Sequence, residues 1–233
     1  MSKQHDQQRR EAEHALDQFR ETEEGKSQYW GTLLDYCRGD SMIALLESTL
    51  HLSGDVIECG VYRGASLRKI CRAVSDFSPD KLVFACDSFS GFPAEQVGRV
   101  DLGFLRFRHR VKKKFQLCDD VPERMERFFQ MHRIHGQIVK GNFSETLKQF
   151  EHEKFCFIHL DCDLYESYKE CLGELFHCLV PGGVVVFHDY GSPNWPGAKK
   201  AVDGFFATKA ETPQQSRQRD EPAWYVRRSA EAE

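Results

Sequence analysis

Apolar runs alternate with amphipathic segments along most of the chain, and this alternation predicts an ordered series of strands and helices. Five apolar runs have the length of buried strands: DVIECG, LVFACD, GQIVKG, KFCFIHLD and GGVVVFHD. The segments GASLRKICRAV and GAKKAVDGFFA instead place their apolar residues on one helical face. Continuous apolar strands separated by helices predict an α/β fold, in which helices cover both faces of a parallel sheet.

Three further segments complete the predicted series. Residues 33–52 carry apolar residues at mixed three- and four-residue spacing, which indicates helical packing before the first strand. Tyr165 to Leu179 reads as an amphipathic helix that Pro181 and the two following glycines stop. Near the C-terminus, AWYVRR predicts a strand that pairs antiparallel after a turn at residues 219–221.

Residues 93–135 are too long for one connection between the second and third strands. They contain the basic run RFRHRVKKK and the segment PERMERFFQMHRI, which predicts a helix. We interpret this stretch as a lid-like insertion in a single domain over residues 29–233, preceded by a polar N-terminal segment at residues 1–28. The basic run fits a solvated face or a platform for an anionic acceptor, and both interpretations stay open.

Composition excludes several classes of protein. The 233 residues are 40% apolar, which suits one large domain, and the net charge of −4 gives no nucleic-acid signature. No run approaches the roughly 18 apolar residues of a membrane span. The nine cysteines are scattered and form no CxxC pair, which favours a reducing cytoplasm over a disulfide framework or a zinc site. We therefore expect a cytoplasmic protein that binds neither nucleic acid nor membranes.

Polar residues follow the first three strands where each strand ends. Glu58 ends the first, with Gly60 and Gly64 permitting a tight turn, and Asp87 ends the second. Ligands of doubly wound sheets bind at this edge, where an acid after the second strand accepts hydrogen bonds from ribose. Plain turns and an Asp87 cap explain the same residues. Asn142 and Phe143 follow the third strand and fit either an adenine contact or a strand-to-helix turn.

The last two strands end in acids as well. Asp161 and Asp189 would lie close together, because parallel neighbouring strands end at the same edge of a sheet. With His188 they offer ligands that suit Mg²⁺ or another divalent ion, and two like charges at close range favour a cation. We interpret Asp163 as the cap of a helix that starts at Leu164. His159 shares a sheet face with Asp161, and there a structural role is favoured.

These motifs together resemble one known family. ECGVYRGAS, DSFSGFP, KGNFSETL, HLDCDLYESY, PGGVVVFHDYG and AVDGFF occur, in the order found in the macrocin and mycinamicin O-methyltransferases, over roughly residues 50–228. The resemblance implies the Rossmann-like, seven-stranded sheet of class I S-adenosylmethionine-dependent methyltransferases. It also implies Mg²⁺-assisted methyl transfer to a hydroxyl, and sugar hydroxyls are the acceptors in this family. Family members often assemble, so a homo-oligomer is a further expectation.

The resemblance assigns roles to individual residues. Glu58, Gly60 and Gly64 would line the methionine side of the donor, and Asp87 would hold its ribose. Asp161 would bind the metal with His188 and Asp189, although His188 stands where the family usually has an aspartate. Asp161 and His188 are the candidate catalytic residues. The full donor-binding set expected from the motifs is Glu58, Gly60, Tyr62, Arg63, Gly64, Ser66, Asp87, Ser88, Phe89, Asn142, Phe143 and Asp161.

Two other functions stay open. One is metal-independent methyl transfer with His188 or Asp161 as the base, and the other is a non-catalytic nucleoside-binding module. The expected partner is a glycan or glycosylated small molecule, anionic if the basic run contacts it. Trp30, Tyr62 and Trp195 fit aromatic walls for such an acceptor and fit core packing equally well.

Overall fold

The computed structural model describes residues 40–93, 96–101, 120–216 and 222–230. These residues lie in one compact unit, Gly39–Glu233. Its helices are α1 (Ser41–Glu47), α2 (Ala65–Phe77), α3 (Val121–His132), α4 (Phe143–Thr146), α5 (Tyr165–Leu175) and α6 (Pro196–Phe206). Its strands are β1 (Asp55–Cys59), β2 (Val83–Asp87), β3 (Gly136–Lys140), β4 (Phe155–Leu160), β5 (Leu179–Phe187), β6 (Gln214–Gln215) and β7 (Trp224–Arg227). Short 3-10 helices lie at Arg99–Asp101, Leu147–Phe150 and Phe176–Cys178.

The strands form one seven-stranded sheet in the order β3-β2-β1-β4-β5-β7-β6. The first five strands of this order pair in parallel, and β7 runs antiparallel to both β5 and β6. The parallel sheet and the antiparallel C-terminal strand are therefore confirmed, while the predicted turn at residues 219–221 lies outside the described residues. Chain order reverses between β1 and β4, which is where ligands bind in doubly wound sheets.

Helices cover the sheet on both sides because crossovers between parallel strands are right-handed. The chain moves one way along the sheet from β1 to β2 and the other way from β4 to β5, so α2 and α5 lie on opposite faces. The side chains of β4 are buried on both faces, as expected for a central strand. Seven cysteines in the described part of the chain are free and buried, and they pack as small apolar residues.

The predicted helix over Tyr165 to Leu179 ends too late. The α-helix stops at Leu175, a 3-10 turn follows, and β5 begins at Leu179. Strand β5 then runs through Pro181 and the two glycines that were expected only to stop the helix. A register shift in the pairing of β4 with β5 absorbs these residues. Proline is tolerated there because a bulge does not need its missing N–H.

The other helix predictions are confirmed where the structure describes them. Helix α3 covers most of PERMERFFQMHRI and ends at His132, followed by Arg133 in the left-handed conformation. Within residues 33–52, α1 begins after Asp40, whose carboxylate accepts hydrogen bonds from two backbone N–H groups of the first turn. The predicted boundary at residue 28 and the basic run lie outside the described residues. Among the helices described, none has the length and apolar character needed to cross a membrane.

Candidate active site

A cavity opens at the carboxyl ends of β1, β2, β3 and β4, at the point where strand order reverses. Each of these strands contributes the residues that follow it, and α5 contributes part of one wall. The described residues that line it are Gly60, Tyr62, Asp87, Ser88, Phe89, Gly91, Phe92, Pro93, Gln96, Gly141, Asn142, Phe143, Asp161, Cys162, Asp163 and Ser167.

The turn after β1 approaches the end of β4 so closely that it requires glycine. Gly60 has a φ of 93°, and a Cβ atom there would lie 1.9 Å from the carbonyl oxygen of Asp161. The contact follows from the sheet, because the backbone N–H of Asp161 donates to the carbonyl of Cys59. The turn after β1 is therefore held in close contact with the end of β4.

Asp87 organises the turns on the β2 side of the cavity. Its Oδ2 accepts the backbone N–H groups of Val61 and Tyr62 at 2.8 and 2.9 Å, and its Oδ1 accepts that of Phe89 at 2.8 Å. Tyr62 and Phe89 both have positive φ values, which non-glycine residues adopt only where the surroundings enforce them. The predicted ribose contact stays a prediction, and Asp87 also fixes the backbone of two cavity-lining turns.

Asp161, His188 and Asp189 converge as the sequence predicted. The backbone N–H of His188 donates to the carbonyl of Leu160, which sets the end of β5 beside the end of β4. One candidate ligand atom from each of the three side chains lies within 4.8 Å of the other two. His188 Nε2 is 4.0 Å from Asp161 Oδ1, and the His188 side chain is 61% exposed.

The electrostatics of this cluster disfavour the charged form of its buried acid. Asp189 is 3% exposed. Its burial, with the neighbouring charge of Asp161, raises the pKa of its carboxyl to about 6. His188, the Asp163 N–H and the Tyr168 hydroxyl oppose this shift without cancelling it. Both of those hydrogen bonds go to Oδ2 of Asp189.

Two carboxylates and an imidazole at this spacing fit a divalent cation. A bound cation would favour the ionised form of Asp189, the buried acid of the group. The donor set is mixed, because hard oxygen ligands favour Mg²⁺ whereas the imidazole nitrogen also suits softer divalent ions.

Glu58 is not among the residues that line the cavity. Its side chain is fully buried, and Oε1 is 2.9 Å from Nδ1 of His159, its register partner on β4. Burial lowers the pKa of His159, but the hydrogen bond to Glu58 and the surrounding negative charges outweigh burial and leave the pKa raised. The buried pairing of His159 with Glu58 fits the structural role favoured from sequence, while the predicted contact of Glu58 with the donor stays a prediction.

The prediction that Asp163 caps α5 is wrong. Leu164 occupies the cap position without a side-chain hydrogen bond, and Asp163 itself has a φ of 61°. The carboxylate that serves the start of α5 belongs to Asp101, whose Oδ1 accepts the backbone N–H of Tyr165 at 3.1 Å. Asp163 instead lines the cavity, and its own N–H donates to Asp189.

The cavity includes most of the predicted donor-binding residues. Arg63, Gly64 and Ser66 join Glu58 outside its lining; Gly64 packs against Met125, and Ser66 lies in the first turn of α2. The lining residues that were not in the predicted donor-binding set come from the loop after β2, the turns after β3 and β4, and the first turn of α5. They are Gly91, Phe92, Pro93, Gln96, Gly141, Cys162, Asp163 and Ser167. Trp195 packs edge-on against Phe92 at 5.8 Å between ring centroids, and Trp30 lies outside the described residues.

The strand order and the cavity at the switch point define a Rossmann-like class I methyltransferase fold. Residues 2–228 match the model of the TylF macrocin-O-methyltransferase family. The chain belongs to this family, which confirms the resemblance seen in its motifs.

Curated relatives and solved structures agree with this assignment. The chain is 31% identical over 173 residues to the 8-demethyl-8-(2,3-dimethoxy-alpha-L-rhamnosyl)-tetracenomycin-C 4'-O-methyltransferase of Streptomyces olivaceus, covering 68% of this chain and 62% of that protein. It is 30% identical over 164 residues to the demethyldecarbamoylnovobiocin O-methyltransferase of Streptomyces niveus, covering 67% and 60%. The matches therefore span about three-fifths of the length of these two relatives.

Among solved structures, the O-methyltransferase NovP is 25% identical with a TM-score of 0.66, covering 83% of this chain and 80% of NovP. CalS11, a calicheamicin methyltransferase, has a TM-score of 0.67 at 22% identity, covering 88% and 80%. The likeness to CalS11 shows the shared fold.

Proposed function

We propose that this chain is an S-adenosylmethionine-dependent O-methyltransferase whose acceptor is a sugar hydroxyl on a glycan or glycosylated small molecule. One observation carries the proposal: a cavity at the class I switch point has the Asp161–His188–Asp189 cluster at one end. Family membership supports the reaction, and the names of the curated relatives support an O-methyl acceptor on a natural product. A cytoplasmic location remains a prediction from cysteine usage.

The donor would occupy the part of the cavity that the turns after β1, β2 and β3 form. Gly60 and Tyr62 lie on one side of that part, and Asn142 and Phe143 lie on the other. Asp87 borders it with an Oδ1 that accepts one backbone hydrogen bond and has a second lone pair for a ribose hydroxyl. These residues would align the donor's methyl group with the acceptor oxygen, which is the main requirement of this reaction.

The reaction forms an oxygen–carbon bond, breaks the sulfur–carbon bond of the donor and releases a proton from the acceptor hydroxyl. Asp161 and His188 are the candidate proton acceptors, since Asp161 lines the cavity and His188 is exposed beside it. Asp161, His188 and Asp189 would also hold Mg²⁺ or a related divalent ion. Such an ion, when bound, lowers the pKa of a coordinated hydroxyl.

The test combines donor binding, turnover and the dependence of turnover on a divalent ion. We expect calorimetric binding of S-adenosylhomocysteine, and methyl transfer to glycosylated acceptors that stops on chelation and returns with Mg²⁺. Asp161→Ala should lower the turnover rate by roughly 100-fold or more and still bind the donor product. Asp80→Ala, an exposed acid remote from the cluster in sequence, is the matched control and should behave as wild type.

The outcomes separate the three functions. Turnover that survives exhaustive chelation would favour the metal-independent reaction. Tight donor binding without product from any acceptor would favour the nucleoside-binding module. Failure to bind S-adenosylhomocysteine at all would contradict the proposal itself.

A further inference from the structure

Gln96 enters the cavity wall in a fixed hydrogen-bonded setting. Its Nε2 lies 3.0 Å from each carboxylate oxygen of Glu170 on α5. Its Oε1 accepts a hydrogen bond from the hydroxyl of Ser167 at 2.9 Å. Gln96 and Ser167 line the cavity, whereas Glu170 lies behind them and is not among the lining residues described.

The Glu170 carboxylate determines which way the Gln96 amide faces. An ionised carboxylate only accepts hydrogen bonds, so the amide must turn its NH₂ group to Glu170 and its oxygen away. The Ser167 hydroxyl donates its single proton in a hydrogen bond to that oxygen, which keeps a second lone pair. Gln96 therefore presents a hydrogen-bond acceptor at the cavity wall.

This acceptor lies on the side of the cavity assigned to the nucleoside. Glu170 also receives a hydrogen bond from the backbone of Ser144, in helix α4, which begins at Phe143 directly after Asn142. The network therefore joins Gln96 to the end of β3. The Asp161–His188–Asp189 cluster lies at the ends of β4 and β5.

We propose that Gln96 is a specificity-determining residue that selects a 6-amino purine over a 6-oxo purine in the donor. The inference rests on the proposed function, because it takes the donor nucleoside to bind in this cavity. The exocyclic amine of adenine donates a hydrogen bond to Gln96 Oε1. In the same pose a hypoxanthine ring sets its carbonyl oxygen against Oε1, so two acceptors face each other without a proton. Glu170 is a positioning residue that holds the amide in its selective orientation.

The test compares two product analogues by calorimetry: S-adenosyl-L-homocysteine and S-inosyl-L-homocysteine. Wild type should bind the adenosyl compound at least about tenfold more tightly, since one hydrogen bond is gained and one repulsive contact avoided. Gln96→Met, close in shape without the amide, should bring the two affinities within about twofold. Gln149→Met is the matched control, because Gln149 is exposed and bonds only locally.

The Glu170→Gln variant tests whether Glu170 determines the discrimination between the two analogues or only supports the structure. The side-chain amide introduced by this substitution can face Gln96 with either its oxygen or its NH₂ group, so the Gln96 amide can turn. The variant should keep its affinity for the adenosyl compound within about threefold and lose most of the discrimination. A purely structural role would weaken both ligands equally and leave their ratio unchanged.

The outcomes also distinguish this inference from the function on which it rests. A wild-type chain that binds both analogues equally would overturn the inference and leave the donor site intact. Discrimination that persists in Gln96→Met would overturn it in the same way. A chain that binds neither analogue would overturn the proposed donor site and the inference with it.

Discussion

The two ends of the cavity hold their carboxylates in opposite ways. At the β2 end, Asp87 accepts hydrogen bonds from three backbone N–H groups. These bonds stabilise its negative charge and fix the shape of two turns. At the β4–β5 end, Asp161 and Asp189 face each other, and burial with mutual repulsion raises the pKa of Asp189 to about 6. One end is therefore organised by backbone geometry, and the other concentrates negative charge that a bound cation would offset.

The difference predicts which substitutions each end tolerates. A turn whose backbone is in close contact with its neighbour should be destabilised by any added side-chain atom, whether or not that atom is charged. A cluster defined by charge should tolerate an isosteric neutral residue, gain stability from it and lose its affinity for a cation.

The largest effect is expected at the geometric end, for Gly60→Ala. The added Cβ would meet the backbone carbonyl of Asp161, which no side-chain rotation can relieve. We expect the free energy of unfolding to fall by about 4 kcal/mol or more. Denaturant titration measures this loss, and Gly173→Ala is the control because nothing lies within 4 Å of a Cβ there. That helical variant should gain about 0.5–1 kcal/mol.

In protein stripped of divalent ions, the charged end of the cavity should make the free energy of unfolding depend on pH. The folded-state pKa of Asp189 is about 6 against 3.8 for the ordinary group, so the folded state binds its proton more tightly. This contribution to stability is complete below pH 3.8 and is lost as pH rises through 6. The expected loss is at most about 3 kcal/mol. Denaturant titrations across this pH range measure it.

Asp189→Asn tests the origin of that pH dependence. Asn retains the size of Asp and an oxygen for the hydrogen bonds from Asp163 and Tyr168, but it carries no charge. The variant should unfold with a flatter pH profile, be more stable than wild type near neutral pH, and bind Mn²⁺ at least about tenfold more weakly. An unchanged pH profile would show that Asp189 is not the titrating group.

Much of the fold and part of this contrast could be predicted from the sequence. Apolar runs located the strands, and parallel strands must end at one edge, so the convergence of Asp161 with Asp189 was accessible. The Glu58–His159 pair had a readable signal as well: Glu58 precedes Gly60, and His159 precedes Asp161, by the same two positions on neighbouring strands. The pairing followed once these two strands were known to be adjacent.

Other features depend on contacts that no local pattern reports. Gln96 meets Ser167 and Glu170 across separations of 71 and 74 residues, from within an insertion whose course the sequence does not specify. The cap of α5 was misassigned for the same reason. Asp163 lies in the right place along the chain, but Asp101 supplies the carboxylate from 64 residues away.

Asp87→Ala should reduce both stability and donor affinity, because the three hydrogen bonds that Asp87 accepts shape the cavity as well as the turns. Three backbone donors lose their acceptor, for which we expect about 2 kcal/mol in the free energy of unfolding. Affinity for S-adenosylhomocysteine should fall by roughly 30-fold or more if Asp87 also meets the ribose. Asp55→Ala is the matched control, since Asp55 accepts one backbone N–H at the start of β1, away from the cavity lining. It should lose stability without losing donor affinity.

The smallest effect separates the two acids that compete for the start of α5. Asp101 is fully buried and accepts the N–H groups of Gly98 and Tyr165, so Asp101→Ala should cost about 1 kcal/mol or somewhat more. Asp163→Gly should change the free energy of unfolding by less than about 0.5 kcal/mol, because glycine removes the carboxylate and adopts the positive φ of this position without strain. Equal losses in the two variants would restore Asp163 as the cap. Unequal losses in the expected direction would place Asp163 with the charged end of the cavity, where its backbone N–H already contacts Asp189.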